Sequence, residues 1–383
     1  MKILYFGSLS STDSDFPLIR ALQNKGVNII CYFYVSKYVS KAGLINIDKI
    51  HRKDDILKAS EYESFKMYNT YLNLDNIYII NNYHANRRDI QSWYIWIKVI
   101  KHMKMQKADL LHSTWPFSRQ RRLLYFFKIK KIFTIHDPFP HSAQYSKESD
   151  SDRILAFHKA DKLVLLNGVQ MDEFCKYYSI NKGKIVISKM GVFDYLKEIK
   201  PIGVVPKYKY ILFFGQIQPH KGVEYLLQSM LEVHKVHPDV VCIIAGKGTY
   251  DFSKELYERL DYIEFRNYYI TIPELVMLLQ HALFAVCPYK DATQSGVVQT
   301  AFSMNLPLIV TNVGALSKAV FDGITGCVVP PCDVKSLADS IIDLINNEEK
   351  LILYKSNINN MWHEKMKWND IVQIYINMYT NIK

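Results

Sequence analysis

Lys221 is the residue best placed to bind an anion, because it ends a loop between a predicted strand and a predicted helix. The apolar stretch 210–215 predicts a buried strand, and Gly215 allows the chain to turn where that strand ends. The helix predicted over 222–236 begins directly after Lys221. Free N–H groups and the helix dipole favour an anion at such a position, and lysine adds a point charge. The pattern therefore predicts a phosphate site, although an ordinary surface lysine in a loop would look the same.

Two further loops follow predicted strands in the same half of the chain. Ser295 and Gly296 stand where a helix is expected to start after the strand 284–288, and they offer side-chain and backbone donors. The loop 245–249 (AGKGT) follows the strand 240–246 and has two glycines, which a plain turn explains equally well. Two helix N-termini on neighbouring parallel strands would hold a diphosphate between them, at the sheet edge where ligands bind in open α/β folds.

Strands and helices alternate along the whole chain, which predicts parallel sheets covered by helices. In the first half, strands are predicted at 2–7, 27–34, 77–81, 110–112, 132–136 and 163–166. In the second half they are predicted at 210–215, 240–246, 284–288 and 308–311. Two prolines and a glycine in 201–209 (PIGVVPKYK) indicate a hinge. We therefore predict an α/β fold of two domains, over 1–200 and 201–365, with a helix at about 366–383 that packs back onto the first domain.

The composition is that of a globular protein with two domains. The chain has 383 residues, of which 49% are hydrophobic and 22% charged. It contains no run of eighteen apolar residues and no stretch typical of a signal peptide. Its six cysteines form no Cys-x-x-Cys pair and no metal-ligand spacing, and no Asp-x-Asp motif follows a predicted strand. We expect a reduced, cytoplasmic protein without a metal site.

Positive charge is concentrated in the first half of the chain. Residues 1–190 contain 30 Lys and Arg against 17 Asp and Glu. Two stretches there combine basic residues with aromatic and aliphatic ones, 93–107 (WYIWIKVIKHMKMQK) and 119–131 (RQRRLLYFFKIKK). Basic amphipathic helices of this kind lie in lipid interfaces, and the alternative is a helix whose lysines are merely solvated. No nucleic-acid-binding motif is present. We expect peripheral contact with an anionic membrane through Lys98, Lys101, Lys104, Arg119, Arg121, Arg122 and Lys128.

The motifs of the second half resemble, in order and spacing, the second domain of family 4 retaining glycosyltransferases. The matching motifs are FGQI at 214–217, HKGV at 220–223, AGKG at 245–248, CPY at 287–289, QSGV at 294–297, LPLIVTNVG at 306–314 and the stretch 322–330. The resemblance covers roughly 205–345. The first half is similar more loosely, through DLLH at 109–112 and FTIHD at 133–137. These enzymes have the architecture called GT-B, so the resemblance implies an α/β fold of two Rossmann-like domains facing each other across a cleft. The ATQSG motif at 292–296 resembles a subgroup that makes capsules and other surface polysaccharides.

The resemblance implies roles for individual residues. A histidine at the position of His136 lies beside the transferred sugar, and a lysine at the position of Lys221 binds the donor diphosphate; both are assigned as catalytic. The amides at Ser295, Gly296 and Val297 are expected to bind the same diphosphate. The other implied donor-binding positions are Gly215, Gln216, Gly246, Thr293, Gln299 and Thr300.

Three positions depart from the family pattern. Gln216 stands where the family usually has an arginine. The family's two glutamates, eight positions apart, are replaced by residues near Ala292 or Thr293 and near Gln299 or Thr300. Gly7 alone remains of a glycine pair after the first strand.

The resemblance thus implies retaining transfer of a sugar from a nucleoside diphosphate sugar, as co-substrate and without a metal or other cofactor. The expected acceptor is a lipid-linked or free saccharide at the inner face of the plasma membrane. Two alternatives remain open. The first is an inactive scaffold in a polysaccharide assembly complex, which Gln216 and the missing glutamates suggest. The second is another GT-B enzyme, such as a nucleotide-sugar epimerase or an inverting transferase.

Overall fold

The chain folds into two compact units. The computed structural model describes residues 1–47, 50–85, 89–139, 147–166, 168–291, 296–314 and 316–382. Unit 1 comprises Met1–Gly191 and Met366–Lys383, and unit 2 comprises Val192–Lys365. The proline-containing stretch 201–209 therefore lies inside unit 2.

Unit 1 is built on a mainly parallel sheet. Its strands are β1 (Lys2–Ser8), β2 (Asn28–Ser36), β5 (Asp55–Lys58), β6 (Ile77–Asn82), β7 (Leu110–Ser113), β8 (Lys130–Ile135), β9 (Lys162–Leu165) and β10 (Ile185–Ile187), with β3 (Lys41–Ala42) and β4 (Ile45–Asn46) forming a separate antiparallel pair. In the sheet the order is β10-β9-β8-β7-β1-β2-β6-β5, and only β5 runs antiparallel to its neighbour. The strand order reverses between β1 and β7, and the loops that end these strands flank a crevice where ligands bind in such sheets.

The central strands of unit 1 are buried on both faces, which explains their continuous apolar sequences. Helices α1 (Thr12–Asn24), α2 (Glu63–Lys66), α3 (Ile90–Met105), α4 (Lys147–Lys159) and α5 (Met171–Tyr178) accompany the sheet. Leu4, Trp96, Phe133 and Phe157 belong to one buried cluster that joins the strands to α3 and α4.

Unit 2 has a second parallel sheet. Its strands are β11 (Lys209–Phe214), β12 (Val240–Ala245), β13 (Ile263–Arg266), β14 (Ala285–Cys287), β15 (Leu308–Thr311) and β16 (Gly326–Val329), in the order β13-β12-β11-β14-β15-β16. The order reverses between β11 and β14. The helices are α6 (Val223–Val236), α7 (Ile272–His281), α8 (Gly296–Ser303), α9 (Leu316–Ala319), α10 (Val334–Asn346) and α11 (Glu348–Asn357), followed by a π-helical turn over Ile358–His363.

The last helix, α12 (Trp368–Asn381), belongs to unit 1 and packs against α1. Its Tyr379 hydroxyl lies 2.6 Å from Nδ1 of His112, a fully buried residue of β7, and the other ring nitrogen lies 2.8 Å from the Thr134 hydroxyl. Near the start of the helix, a Cβ added at Gly191 would lie 2.3 Å from the Trp368 indole. The chain therefore leaves unit 1 and returns to it at neighbouring points.

The predicted α/β fold of two Rossmann-like domains is confirmed, but one predicted element is wrong. Residues 119–131 do not form a basic amphipathic α-helix: Arg119–Phe126 is a 3-10 helix, and β8 begins at Lys130. Lys131 is buried, and its ammonium donates to the carbonyls of Phe127 and Ile129, with the latter contact at 3.0 Å. The stretch 93–107 is helical through Met105, as part of α3. Within the described ranges, no helix is both long and apolar enough to cross a bilayer.

Candidate functional site

Two glycine-containing loops meet at the carboxyl edge of the second sheet. Gly215 follows β11, and its N–H donates to the Ala245 carbonyl at 3.0 Å. Gly246 follows β12 with φ +155°, and a Cβ added there would lie 1.8 Å from the Gly215 carbonyl oxygen. A side chain at position 246 is therefore sterically excluded. The two loops form one layer of backbone beside the point where the strand order reverses.

Lys221 lies in the loop between β11 and α6, and no anion is paired with its ammonium among the described residues. Its ammonium is 3.9 Å from the centre of the Tyr289 ring, a contact that attracts a cation to the aromatic face. Tyr289 is itself buried in the loop after β14. Among the described residues, Lys221 makes no ion pair, and burial lowers its pKa. A phosphate bound here would supply the missing negative charge.

A second lysine in the same region has its charge neutralised. The Lys290 ammonium lies 2.7 Å from Glu224 and 3.5 Å from Asp251. The hydrogen bond that Lys290 donates to Glu224 raises the pKa of Lys290. Lys290 therefore stabilises the loop, and Lys221 remains available to a ligand.

Helix α8 brings further predicted donor-binding residues to the same edge. A Cβ added at Gly215 would lie 3.5 Å from Val297 Cγ2, so the start of α8 packs beside the β11 loop. A Cβ added at Gly296 would meet no atom of the described residues within 4 Å, apart from its chain neighbours and its own helix backbone. The Thr300 hydroxyl donates to the Gly296 carbonyl at 2.8 Å. Gln299 is partly buried on the same helix.

Of three other predicted positions, the structure describes one and leaves two outside the described residues. Gln216 is exposed on the loop that follows Gly215. Thr293 and Ser295 lie outside the described residues. The structure therefore brings together Gly215, Gln216, Lys221, Gly246, Gly296, Val297, Gln299 and Thr300 within unit 2.

His136 belongs to unit 1, directly after β8. Its ring lies parallel to that of Trp115, with 6.4 Å between the ring centres. Burial lowers the pKa of His136, so the ring is neutral at pH 7. Nε2 is buried and has no hydrogen-bond partner among the described residues. Arg153 fixes this loop by donating to the carbonyls of Asp137 and Pro138, at 2.6 and 2.8 Å.

The residues expected to touch a membrane fall into two groups. On α3, Lys101 and Lys104 are exposed, and Lys98 pairs with Asp55. Lys128 is also exposed. Arg119 and Arg121 instead line a cavity of unit 1, and Arg122 pairs with Asp152.

Sequence reasoning missed Tyr289 as a functional residue. Its position directly after β14 is visible in the sequence, but its position beneath Lys221 depends on how two loops pack. Among the described residues, no group of three or more His, Cys, Asp and Glu is arranged to hold a metal ion.

This geometry can be compared with known proteins. Residues 208–347 match the model of the family described as Glycosyl transferases group 1. The matched stretch lies within unit 2. The match includes Gly215, Lys221, Gly246 and Gly296, the residues that the structure places at the sheet edge.

Relatives of this domain are themselves glycosyltransferases. The lipopolysaccharide core biosynthesis mannosyltransferase LpsB of Rhizobium meliloti is 26% identical over 218 residues, which cover 54% of this chain and 57% of that protein. The chain spans less than two thirds of the length of the curated relatives that head the comparison.

Solved structures resemble the whole chain. Sucrose-phosphate synthase of Thermosynechococcus elongatus has a TM-score of 0.69 at 15% identity, over 100% of this chain and 99% of that one. Anabaena Alr3699/HepE in complex with UDP has a TM-score of 0.67 at 15% identity, over 99% and 100%. At this identity the likeness shows the fold, and the fold is that of GT-B glycosyltransferases, as predicted.

Proposed function

We propose that the protein is a retaining glycosyltransferase that moves a sugar from a nucleoside diphosphate sugar to an acceptor hydroxyl. The observation that carries the proposal is Lys221, a partly buried cation that lies over the Tyr289 ring and forms no ion pair among the described residues. It lies within the stretch that matches the group 1 glycosyltransferase family.

The catalytic task of these residues is to stabilise the leaving group. As the bond from the sugar to the diphosphate breaks, negative charge develops on the diphosphate oxygens. Lys221 and the amides of Gly296 and Val297 would stabilise that charge, together with the amide of Ser295 that the family resemblance implies. Donors held in place before the reaction usually make the largest single contribution to catalysis. The backbone at Gly215 and Gly246 leaves room for the phosphates. No resident metal or other cofactor is part of the proposal.

The polar side chains around the phosphates would contact the sugar and the ribose. Gln216, Thr293, Gln299 and Thr300 are the candidates, in place of the glutamates usual in the resembling family. His136 is assigned to the sugar's face as a neutral imidazole. Its unpaired Nε2 fits a hydrogen bond with a substrate hydroxyl.

We base the proposed donor and the proposed pathway on similar proteins. We propose a uridine nucleotide, because the Anabaena structural neighbour has been solved with UDP and with UDP-glucose. We propose surface polysaccharide or lipid-linked glycan synthesis, capsule included, because one relative acts in lipopolysaccharide core synthesis. The protein would work at the inner face of the plasma membrane, where α3 would contact anionic lipid.

The first test compares nucleotides by thermal unfolding. UDP, GDP, ADP, CMP and dTDP are added in turn, and a ligand at about 100 times its Kd adds about 2.7 kcal/mol of stability. That stabilisation raises the Tm of a protein of this size by a few degrees. UDP is expected to give the largest rise.

Lys221→Ala then tests the site itself, with Lys235→Ala as the matched control at the opposite end of α6. A charge-assisted contact of this kind contributes about 1.5–3 kcal/mol, so release of UDP from UDP-sugar should fall about ten- to a hundredfold. Lys235→Ala should behave as the parent. Full activity in Lys221→Ala would contradict the proposed donor site. UDP binding without sugar transfer to any acceptor would favour the inactive scaffold, which the exposed Gln216 already suggests.

A further inference from the structure

Unit 1 contains a cavity that the donor site leaves unused. Its volume is about 570 Å³, and it lies at the carboxyl edge of the first sheet, where the loops after β1, β2, β6 and β7 converge. The strand order reverses between β1 and β7, so the cavity occupies the crevice where open α/β sheets bind ligands. A cavity of this size holds a small organic molecule.

Two arginines give the cavity an unbalanced positive charge. The Arg121 guanidinium is 5.3 Å from the centre of the Tyr34 ring and donates to the Ser118 hydroxyl. Arg119 lies at the exposed rim. Neither arginine forms an ion pair within the part of the chain that the structure describes. Asp152 attracts Arg121 electrostatically, but its hydrogen bonds go to Arg122, so neither Arg119 nor Arg121 has its charge compensated by an ion pair among the described residues.

The one carboxylate in the cavity wall is already neutralised. Asp152 is buried, and its Oδ1 accepts from Nε of Arg122 at 2.9 Å and from a terminal nitrogen of the same guanidinium at 2.6 Å. Arg153 also reaches the wall, but its donors hold the loop after β8. Arg119, Arg121 and Arg153 outnumber Asp152 in the described lining, so an anion entering the cavity would meet an excess of positive charge.

A side-chain oxygen in the same wall has no hydrogen-bond partner among the described residues, which indicates a ligand with hydroxyl groups. Asn82 is buried, and its amide nitrogen is 3.1 Å from the Ser92 hydroxyl. Its Oδ1 is also buried and has no hydrogen-bond partner among the described residues. A buried acceptor left unpaired costs about 1–3 kcal/mol, and a ligand hydroxyl would remove that cost. Trp96 and Trp115 add aromatic walls that suit the face of a sugar ring.

We propose that this cavity binds the acceptor by a phosphate ester group, with Arg119 and Arg121 on the phosphate and Asn82 on a hydroxyl. The inference rests on the proposed function, because it names the acceptor of that reaction as a phosphorylated saccharide or polyol. Two uncompensated guanidinium groups match the double charge of a phosphate monoester, and guanidinium groups bind phosphate oxygens through paired N–H donors.

The phosphate has two possible sources, a soluble ester or a lipid headgroup. Helix α3 is relevant to both, because Ser92 and Trp96 face the cavity and Trp93, Tyr94 and Ile97 are exposed. A lipid lying against the outer face of α3 would place its phosphate near the cavity. The experiment therefore needs both probes.

Binding of glucose 6-phosphate and sn-glycerol 3-phosphate is measured by calorimetry on the full chain, with UDP at saturation so that the donor site is filled. Binding to phosphatidylglycerol vesicles is measured in parallel. Arg121→Gln should weaken binding of the phosphate probe about tenfold or more. Arg119→Gln serves as the second variant, because the Arg119 side chain is exposed at the rim. Lys128→Gln, an exposed lysine of the same unit, removes the same charge elsewhere and should bind as the parent.

Arginine-dependent binding of either soluble ester supports the proposal with a soluble source. Arginine-dependent binding to the vesicles alone supports it with a lipid source. Binding of every probe that is unchanged in both arginine variants, or no binding of any probe, overturns it. Failure of the proposed function would appear separately, as absence of UDP binding to the parent, because UDP is assigned to unit 2 and the phosphate ester to unit 1. In that case the phosphate titration is repeated with the Lys221→Ala variant, in which the proposed donor site is impaired.

Discussion

At the scale of single residues, two glycines of the candidate donor site are constrained in opposite ways. Gly246 has φ +155° and lies against the Gly215 carbonyl, so the backbone has no room for a side chain. Gly296 begins α8, and a Cβ added there would meet no atom of the described residues within 4 Å, apart from its chain neighbours and its own helix backbone. The first glycine is required by the fold, and the second leaves a path for a ligand to reach the helix amides.

Alanine and valine substitutions should separate these two roles. Gly246→Ala is expected to lower the free energy of unfolding by about 2 kcal/mol or more, because both strain and overlap are introduced. Gly296→Val should unfold close to the parent's Tm but bind UDP at least about tenfold more weakly, since its side chain occupies the ligand path. Thermal unfolding and UDP titration measure both, with uridine as the control ligand that Gly296→Val should bind as the parent does. Unchanged UDP affinity in Gly296→Val would remove α8 from the phosphate site.

The sequence was sufficient to predict some site residues and not others. Lys221 and the glycine loops stand at strand ends in the sequence, and strand ends of a parallel sheet share one edge. The roles of Tyr289 and Asn82 depend on packing, which the sequence does not show. Tyr289 lies against the Lys221 ammonium, and the side-chain oxygen of Asn82 has no hydrogen-bond partner among the described residues. Arg119 and Arg121 were predicted to contact lipid, because a run of basic residues does not show which of them point into a cavity.

At the scale of elements, α12 is joined to the sheet of unit 1 by a buried histidine. His112 contacts Tyr379 of α12 and Thr134 of β8, and burial lowers its pKa to about 3. The unfolded chain takes up a proton at this residue below about pH 6.5, and the folded protein does not. The free energy of unfolding therefore falls as the pH drops from about 6.5 towards 3, and the contribution is fully present above pH 6.5.

His112→Gln should flatten this pH dependence while retaining polar contact with both hydroxyls. Between pH 6.5 and pH 5 the parent should lose about 2 kcal/mol more than the variant, from about 1.4 kcal/mol per pH unit. Urea denaturation at the two pH values provides the measurement. His281→Gln, at the exposed end of α7, is the matched control and should keep the parent's slope. Parallel curves for the parent and His112→Gln would mean that His112 is protonated in the folded protein.

Strands that are buried on both faces were predicted well from the sequence. Strands β1, β2, β11 and β12 have long apolar sequences and were found close to their observed bounds. The four edge strands, β5, β10, β13 and β16, were missed because each has only three or four residues. In β5 and β13, partial exposure and polar residues weaken the apolar pattern further. The stretch 119–131 was assigned to one helix because its composition is amphipathic, although the 3-10 helix there ends before β8 begins.

At the scale of the whole molecule, the excess positive charge lies in unit 1 together with an exposed apolar face. On α3, Trp93, Tyr94 and Ile97 are exposed beside Lys101 and Lys104. Aromatic residues flanked by lysines bind lipid interfaces, and each basic residue near an anionic bilayer contributes about 1 kcal/mol. We expect α3, which contains the first of the two basic stretches predicted from the sequence, to be the membrane contact without the second stretch at 119–131.

Flotation with phosphatidylglycerol vesicles tests this expectation. The parent should float at low salt and be released at high salt, because ions screen exposed charges. The double variant Trp93→Ser with Ile97→Ser should float less. Ile352→Ser with Leu353→Ser is the matched control on α11, where exposures of 60% and 54% exceed the 43% and 48% of the α3 pair. Equal flotation of the α3 variant and the parent would leave the basic charge of unit 1 as solvated surface.

The contact between Gly191 and Trp368 determines how easily unit 2 can be excised from the chain or exchanged for another domain. The chain enters and leaves unit 2 beside this contact, so unit 2 is a continuous insertion whose two ends lie close together. Domains with neighbouring ends are readily excised, exchanged or inserted into another host. A short linker from Gly191 to Met366 would close unit 1 as one continuous chain. In the proposed function, exchange of the whole insertion would replace the donor-binding cassette in one step and leave the arginine-lined cavity of the host unit intact.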